Sequence, residues 1–190
     1  MNKKQLRQIY RQKRAALPAA YCTESSAIIV EKLRPYLQDK LILSYYPFNS
    51  EADISAINNE YQAAYPVILN RKEMAAYRPL HDRFIKNRFG ISEPDISDAE
   101  MIQPHELQLI IVPLLAFNED CCRLGYGGGY YDRYLQNTRA LKIGIAYEIQ
   151  KTDQQFSDPY DIPLDLIISE KTIYFNQNAA SARLHRSFSD

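Results

Sequence analysis

QLIIVPLLAFNEDCCRLGYGGGYYDRYLQNTRALKIGIA, residues 108–146, decides the fold. Its first part, Gln108 to Val112, is a continuous apolar run closed by Pro113, the pattern of a strand buried on both faces. A glycine-rich loop follows, then a helical stretch from Tyr130 to Gln136, then a second buried strand over Leu141–Ala146. Strand, loop, helix and strand in that order form a βαβ unit, which implies parallel strands and a right-handed crossover.

The same alternation extends outward. Asn2 to Ala16 places Leu6, Ile9 and Tyr10 at helical spacing, with Lys4, Arg7, Arg11 and Arg14 as a basic stripe, and Pro18 ends this helix. A second helix is predicted from Ala19 to Arg34, stopped by Pro35. Lys40–Tyr46 reads as a buried strand, with a short helical stretch around Ile54 and Ile57. Tyr65–Leu69 and Met74–Tyr77 read as strands, Gly90–Asp98 as a polar loop, and Leu166–Ser169 and Thr172–Phe175 as one or two closing strands. The expected class is α/β: a Rossmann-like, mostly parallel sheet flanked by helices, in one domain over residues 1–178. Residues 179–190 are polar and without periodicity, as in a flexible tail.

Composition removes several functions. Lys plus Arg equals Asp plus Glu at 23 each, so no net field draws the chain to nucleic acid or anionic lipid. No apolar run reaches the roughly 18 residues of a membrane span, and the start lacks the apolar stretch of a secretory signal. A soluble cytoplasmic protein is expected. Cys22, Cys121 and Cys122 are odd in number, and their one adjacent pair suits neither a disulfide nor a zinc site, so they read as reduced thiols.

Chemistry concentrates at one place. Four of the six glycines, Gly125, Gly127, Gly128 and Gly129, fall within five residues. Consecutive glycines can turn backbone N–H groups toward one anion, and a following helix N-terminus favours negative charge. A tight turn would use the same glycines, but it needs none of the flanking Arg123, Tyr130, Tyr131, Asp132 and Arg133. The string is neither a Walker A loop nor the dinucleotide fingerprint.

RLGYGGGYYDRYL, from Arg123 to Leu135, closely resembles the signature of the 5-formyltetrahydrofolate cyclo-ligase family. KKQLR (Lys3–Arg7), YYPFNSEADIS (Tyr45–Ser55) and DIPLDLIISE (Asp161–Glu170) agree with that family in order and spacing. The resemblance implies an ATP- and magnesium-dependent ligase that closes 5-formyltetrahydrofolate to 5,10-methenyltetrahydrofolate. It implies that Lys3, Lys4, Gln5, Leu6 and Arg7, with Arg123, Leu124, Gly125, Tyr126, Gly127, Gly128, Gly129, Tyr130 and Tyr131, line the ATP site. Tyr46, Glu51, Tyr126, Tyr130 and the three glycines between the tyrosines would contact the folate, and Asp132 and Asp165 would hold Mg2+. Arg123 and Tyr131 are the residues placed nearest the transferring phosphoryl group. A monomer acting on small molecules, without nucleic acid or membrane, is expected.

Each of these residues also has a plainer reading. Asp132 could serve the helix dipole, Asp165 a strand-edge turn, Glu51 a helix cap, and the basic stripe a solvated face or a targeting segment. Tyr134, one helical turn beyond Tyr130 and Tyr131, is expected in the core. Two positions depart from the family pattern: Cys121-Cys122 stands where a glycine turn often precedes the arginine, and Tyr160 where a histidine often precedes the aspartate. Other readings are a sugar-phosphate isomerase or acyl-CoA transferase relative, and a non-catalytic RNA-binding module, which balanced charge disfavours.

Overall fold

The computed structural model describes residues 1–177; the tail read from the sequence over 179–190 lies outside them. In chain order the strands are β1 (Ile42–Leu43), β2 (Tyr65–Ile68), β3 (Met74–Pro79), β4 (Phe84–Lys86), β5 (Ser92–Pro94), β6 (Ala99–Ile102), β7 (Leu109–Pro113), β8 (Ala116–Phe117), β9 (Arg123–Leu124), β10 (Leu141–Ile145), β11 (Leu166–Ile168) and β12 (Ile173–Phe175). The α-helices are α1 (Lys3–Ala15), α2 (Ala19–Leu33), α3 (Ser55–Tyr61) and α4 (Tyr130–Leu135).

The central sheet has the order β1-β7-β10-β11-β12, parallel throughout except for the edge strand β12. Alternation along β7 divides its surroundings. Leu109 and Ile111 pack with Ile29, Val30 and Leu33 of α2 and Ile57 of α3. Ile110 and Val112 face the opposite layer, with Tyr134 and Leu135 of α4 and Ala76 and Ile102 of the β2-β3-β6 sheet. All four β7 side chains are fully buried, each stabilising the fold by about 1.5–3 kcal/mol relative to exposure. The expected mixed fold with a mostly parallel central sheet is therefore present.

Helix α1 lies elsewhere. Its Leu6 and Tyr10 close a third apolar cluster with Leu115, Ala116, Leu124 and Phe156, just past the carboxyl end of β7. Asn2 and Gln5 form a reciprocal capping box that satisfies two donors at the helix start.

Local readings are corrected in four places. The strand expected over Lys40–Tyr46 is regular only at Ile42–Leu43; on its other side a single parallel bridge at Leu43 holds Ala64, with the Ser44 amide donating to the Ala64 carbonyl at 2.8 Å and the Ala64 amide to the Ile42 carbonyl at 2.9 Å. Tyr65–Ile68 and Met74–Pro79, read as strands of one largely parallel arrangement, instead pair antiparallel in a separate sheet, since the tight turn at Leu69–Glu73 joins them. The polar stretch Gly90–Asp98 contains β5, which pairs antiparallel with β4, and its buried Glu93 accepts from the Asn87 side chain and from the Ile68 amide of β2. A β8–β9 hairpin separates β7 from the glycine loop. Its turn puts Cys121 at φ 58, a left-handed conformation that glycine would adopt without strain. The Cys121 amide donates to the Asn118 carbonyl, and the Asn118 side chain accepts from the Cys122 amide. Those bonds hold the turn in place of a glycine.

Candidate active site

The glycine loop leaves β9 and enters α4. Gly127 and Gly129 have φ values of 100 and 66, so both use conformations costly to other residues. A methyl group on Gly127 would press against the Arg7 guanidinium at 3.4 Å, whereas one on Gly125 would meet nothing. Arg7 Nε donates to the Gly125 carbonyl at 2.9 Å, tying α1 to the loop. Helix α4 is only six residues long, so the loop amides and nearby side chains outweigh the helix dipole expected from the sequence.

Arg123 departs from its expected role as an open phosphate donor. Its side chain is 4% exposed, with Nη1 donating to the Ile162 carbonyl and Nη2 to Asp132 Oδ1 at 2.5 Å. Burial lowers its pKa, and the Asp132 charge opposes that shift. Arg123 thus anchors Asp132 beneath the loop, while Arg7 meets the loop at the Gly125 carbonyl and Arg133 at the Gly128 carbonyl.

Among the described residues the two carboxylates expected to hold Mg2+ share no partner. Asp132 faces Arg123 and the Ile162 amide. Asp165 precedes β11 at the amino edge of the sheet, where it accepts from the Lys142 amide at 2.7 Å and lies 3.7 Å from the Lys142 ammonium. Among the described residues no group of three or more His, Cys, Asp or Glu side chains forms a metal cage. Asp132 alone fits an ion that arrives with phosphates, since Mg2+ commonly takes one or two carboxylates, phosphate oxygens and water. The acid whose charge reaches Arg123 besides Asp132 is Asp161, which also accepts from the Lys3 ammonium at 2.6 Å.

Glu51 lies beyond the carboxyl end of β1, as expected. Its Oε2 accepts from the Phe48 amide at 3.0 Å and its Oε1 from the Tyr126 hydroxyl. It caps its own loop rather than a helix. Desolvation raises the Glu51 carboxyl above the usual glutamate range, opposed by the Tyr126 bond and the Arg14 charge. Burial and the neighbouring Glu51 charge push the Tyr126 phenol far up, keeping it a neutral donor. Tyr46, Phe84 and Tyr65 form an aromatic wall, with centroids 5.5 Å apart for Tyr46–Phe84 and 5.2 Å for Tyr65–Phe84.

The remaining expected residues divide between ligand-facing and structural places. Tyr131 carries a buried hydroxyl with no hydrogen-bond partner among the described residues, and burial holds its proton on, so it can donate but not act as a base at neutral pH. Tyr134 is in the core, as expected. The Tyr130 hydroxyl donates to the Asn70 carbonyl at 3.2 Å, and Arg133 lies over its ring. Lys4 is exposed, Gln5 serves the cap, and Leu6 and Leu124 are core residues whose side chains are closed to a ligand.

Arg14, part of the stripe that could have been a solvated face, is instead buried next to Glu51. Its Nε donates to Ser50 Oγ at 3.2 Å and its Nη1 to the Leu114 carbonyl at 3.3 Å; Nη1 also stands 3.9 Å from Glu51 Oε1. The signal was present in the Arg7, Arg11, Arg14 spacing, which puts all three on one helical face.

The sequence model of the 5-formyltetrahydrofolate cyclo-ligase family matches residues 1–170. The chain belongs to the 5-formyltetrahydrofolate cyclo-ligase family. As a member it is a ligase with a Mycoplasma pneumoniae relative, named 5-formyltetrahydrofolate cyclo-ligase, that is 34% identical over 183 residues, covering 90% of this chain and all of the relative. The Haemophilus influenzae cyclo-ligase is 32% identical over 143 residues, covering 69% of this chain and 76% of that protein. Among solved structures, the 5,10-methenyltetrahydrofolate synthetase of Aquifex aeolicus superposes with a TM-score of 0.82 at 29% identity, covering 93% of this chain and 94% of that one. The Mycoplasma pneumoniae synthetase gives 0.75 at 30%, covering 90% and 99%.

Proposed function

We propose that this ligase converts 5-formyltetrahydrofolate to 5,10-methenyltetrahydrofolate with ATP, releasing ADP and phosphate. One observation carries the reading: Tyr126 of the glycine loop donates to Glu51, so the phosphate-type loop and the carboxylate suited to a pterin's N–H donors share one site. The formyl oxygen would take the γ-phosphoryl group as the bond to ADP breaks. N10 would then attack the formyl carbon, phosphate would leave with that oxygen, and the N10 proton would pass to solvent.

In this scheme the chain's residues position and neutralise. The amides of Gly127 to Gly129 and the Arg7 guanidinium face the phosphates, and Lys3 closes the start of α1 onto Asp161. Glu51 accepts from the pteridine, and the Tyr46–Phe84–Tyr65 wall offers a stacking face. Tyr131 donates from its buried hydroxyl to an oxygen of the transferring group. Mg2+ bound with the nucleotide would supply charge neutralisation of the β- and γ-oxygens, with Asp132 as its protein carboxylate; Asp165 could join only by giving up Lys142. The same reading takes the chain as a single-domain, cytoplasmic monomer. No helix among the described residues is long and apolar enough to cross a membrane.

The test is direct. Purified protein with 5-formyltetrahydrofolate and MgATP should develop the near-ultraviolet absorbance of the methenyl product, with one ADP formed per product. Folded protein and intact folate giving neither signal would refute the activity.

A further inference from the structure

The reading of the site gives no work to the most buried cation of the basic stripe. Arg14 is only 4% exposed, an unusual place for an arginine that is not bound by something. Two of its donors are fixed on Ser50 and on the Leu114 carbonyl at the end of β7, so the guanidinium cannot swing out to a nucleotide. What remains is a flat cation 3.9 Å from Glu51 Oε1 and 5.7 Å from the Tyr126 ring centroid. Arg11, one turn back, lies 5.9 Å from the same ring.

We infer that Arg14 is a positioning residue for Glu51, fixing the carboxylate and the Tyr126 ring in one arrangement from outside the ligand space. It spans three separate parts of the chain: α1, the Ser50–Glu51 loop and the β7 exit. No other positive side chain approaches Glu51 within ion-pair distance among the described residues. The other groups that face Glu51 are the Tyr126 hydroxyl, the Phe48 amide, and the phenols of Tyr45 and Tyr131, whose titration its charge raises. The Tyr147 hydroxyl reaches only its carbonyl, at 3.5 Å. Every one of these is neutral, so among the described residues the countercharge of this buried carboxylate is Arg14, and burial without it would favour the protonated acid.

The inference rests on Glu51 as the folate-facing carboxylate only for its kinetic arm. The first measurement needs no substrate: the Glu51 carboxyl is titrated by carbon-13 NMR of glutamate-labelled protein, its signal assigned by loss in Glu51→Gln. Arg14→Met should raise the midpoint by about 1–3 units, and Arg14→Lys should leave it within about half a unit of wild type. An unmoved midpoint in Arg14→Met overturns the proposal. The second measurement is a kinetic cycle. Arg14→Met should lower kcat/KM for 5-formyltetrahydrofolate by about ten- to a hundredfold in wild type but less than about threefold in Glu51→Gln, with the KM for ATP within about twofold throughout. Equal losses in both backgrounds would show that Arg14 does not act through Glu51 and would overturn the proposal as well. Should Arg14→Met fail to melt cooperatively, Arg14→Lys decides: it keeps the charge without the fork, so its folate kcat/KM should fall severalfold in wild type and not in Glu51→Gln, and additivity again refutes. Lys13→Gln, outside the site, is the control for lost charge on α1. If wild-type protein turns over no folate, the functional reading fails while the NMR midpoint still judges Arg14.

Discussion

The Tyr126 hydroxyl donates to Glu51 Oε1 across 75 residues of sequence, joining the centre of the glycine loop to the loop beyond β1. The bond makes the two loops a single unit: a ligand that moves Tyr126 must also change the environment of Glu51. Such a link suits a reaction in which the nucleotide and the folate have to be present together.

Tyr126→Phe removes that donor and leaves one oxygen of a buried carboxylate without its bond. A hydrogen bond to a charged group contributes about 1.5–3 kcal/mol, so kcat/KM for the folate should fall roughly ten- to a hundredfold. Steady-state kinetics varying each substrate in turn check this. An effect confined to ATP would place Tyr126 with the nucleotide alone.

Glu51 also predicts a pH-dependent stability difference. Desolvation raises its folded-state pKa above the unfolded value. The stability contributed by its protonated form is therefore complete below the unfolded pKa and is lost as pH rises through the folded one. Glu51→Gln has no such loss. Relative to wild type, the variant should melt higher at pH 8 than it does at pH 4, measured in matched buffers. A constant difference across that range would place the titration of Glu51 at its unfolded value.

Much of this was legible in the sequence, for identifiable reasons. Leu109–Val112 and Leu141–Ile145 are apolar runs that only a doubly covered strand can bury, and the four clustered glycines mark a loop that no helix would tolerate. The β4–β5 pair was not legible, because its strands are three residues each and β5 carries a charged Glu93 that is buried only through a long-range bond from the Ile68 amide. The β8–β9 hairpin was hidden by Cys121, which occupies a left-handed turn without being a turn-forming residue. Arg14 and Arg7 look alike in the stripe; only the packing of α1 reveals that one meets the glycine loop and the other a carboxylate.

Cys121 should be chemically silent. It is fully buried, its Sγ lies 3.4 Å from the Tyr174 carbonyl, and burial pushes its thiol up to about 12. At pH 8 only about one molecule in ten thousand would carry the thiolate there, so native protein should show at most two fast-reacting thiols, at the half-buried Cys22 and Cys122. Mass mapping after brief alkylation checks this. Labelling of Cys121 at the rate of Cys22 would mean that the hairpin opens readily.

The glycines separate strain from ligand contact. Gly127→Ala places a side chain at φ 100, costing on the order of 1–2 kcal/mol, and crowds Arg7, so both stability and turnover should fall. Gly125→Ala meets open space and should leave the thermal midpoint within about 2 °C, so any activity it loses reports a ligand approaching there. Wild-type kinetics in both variants would return the loop to a plain turn.

The final prediction concerns α1, where deletion is the wrong experiment. Removing residues 1–14 would silence the enzyme without showing why, because Leu6, Tyr10 and Arg14 are all buried against the body of the protein. Losing a buried leucine alone costs about 2–5 kcal/mol, so the truncated chain should fail to fold stably whatever α1 does for ATP. Point variants separate the roles. Arg7→Ala removes the bond to the Gly125 carbonyl and a cation beside Gly127, and should lower kcat/KM for ATP about ten- to a hundredfold while leaving the folate KM within about threefold. Lys4→Ala, at an exposed position, should cost less than Arg7→Ala, with an effect that shrinks as salt is raised. Lys3→Ala should act differently again, because it breaks a pair of bridges to Asp158 and Asp161 and loosens the segment that holds Arg123 through Ile162. Its loss should therefore appear in proteolytic sensitivity around residues 153–162 as well as in turnover. If Arg7→Ala has wild-type kinetics at limiting ATP, α1 is a packing element and the nucleotide phosphates lie elsewhere on the glycine loop.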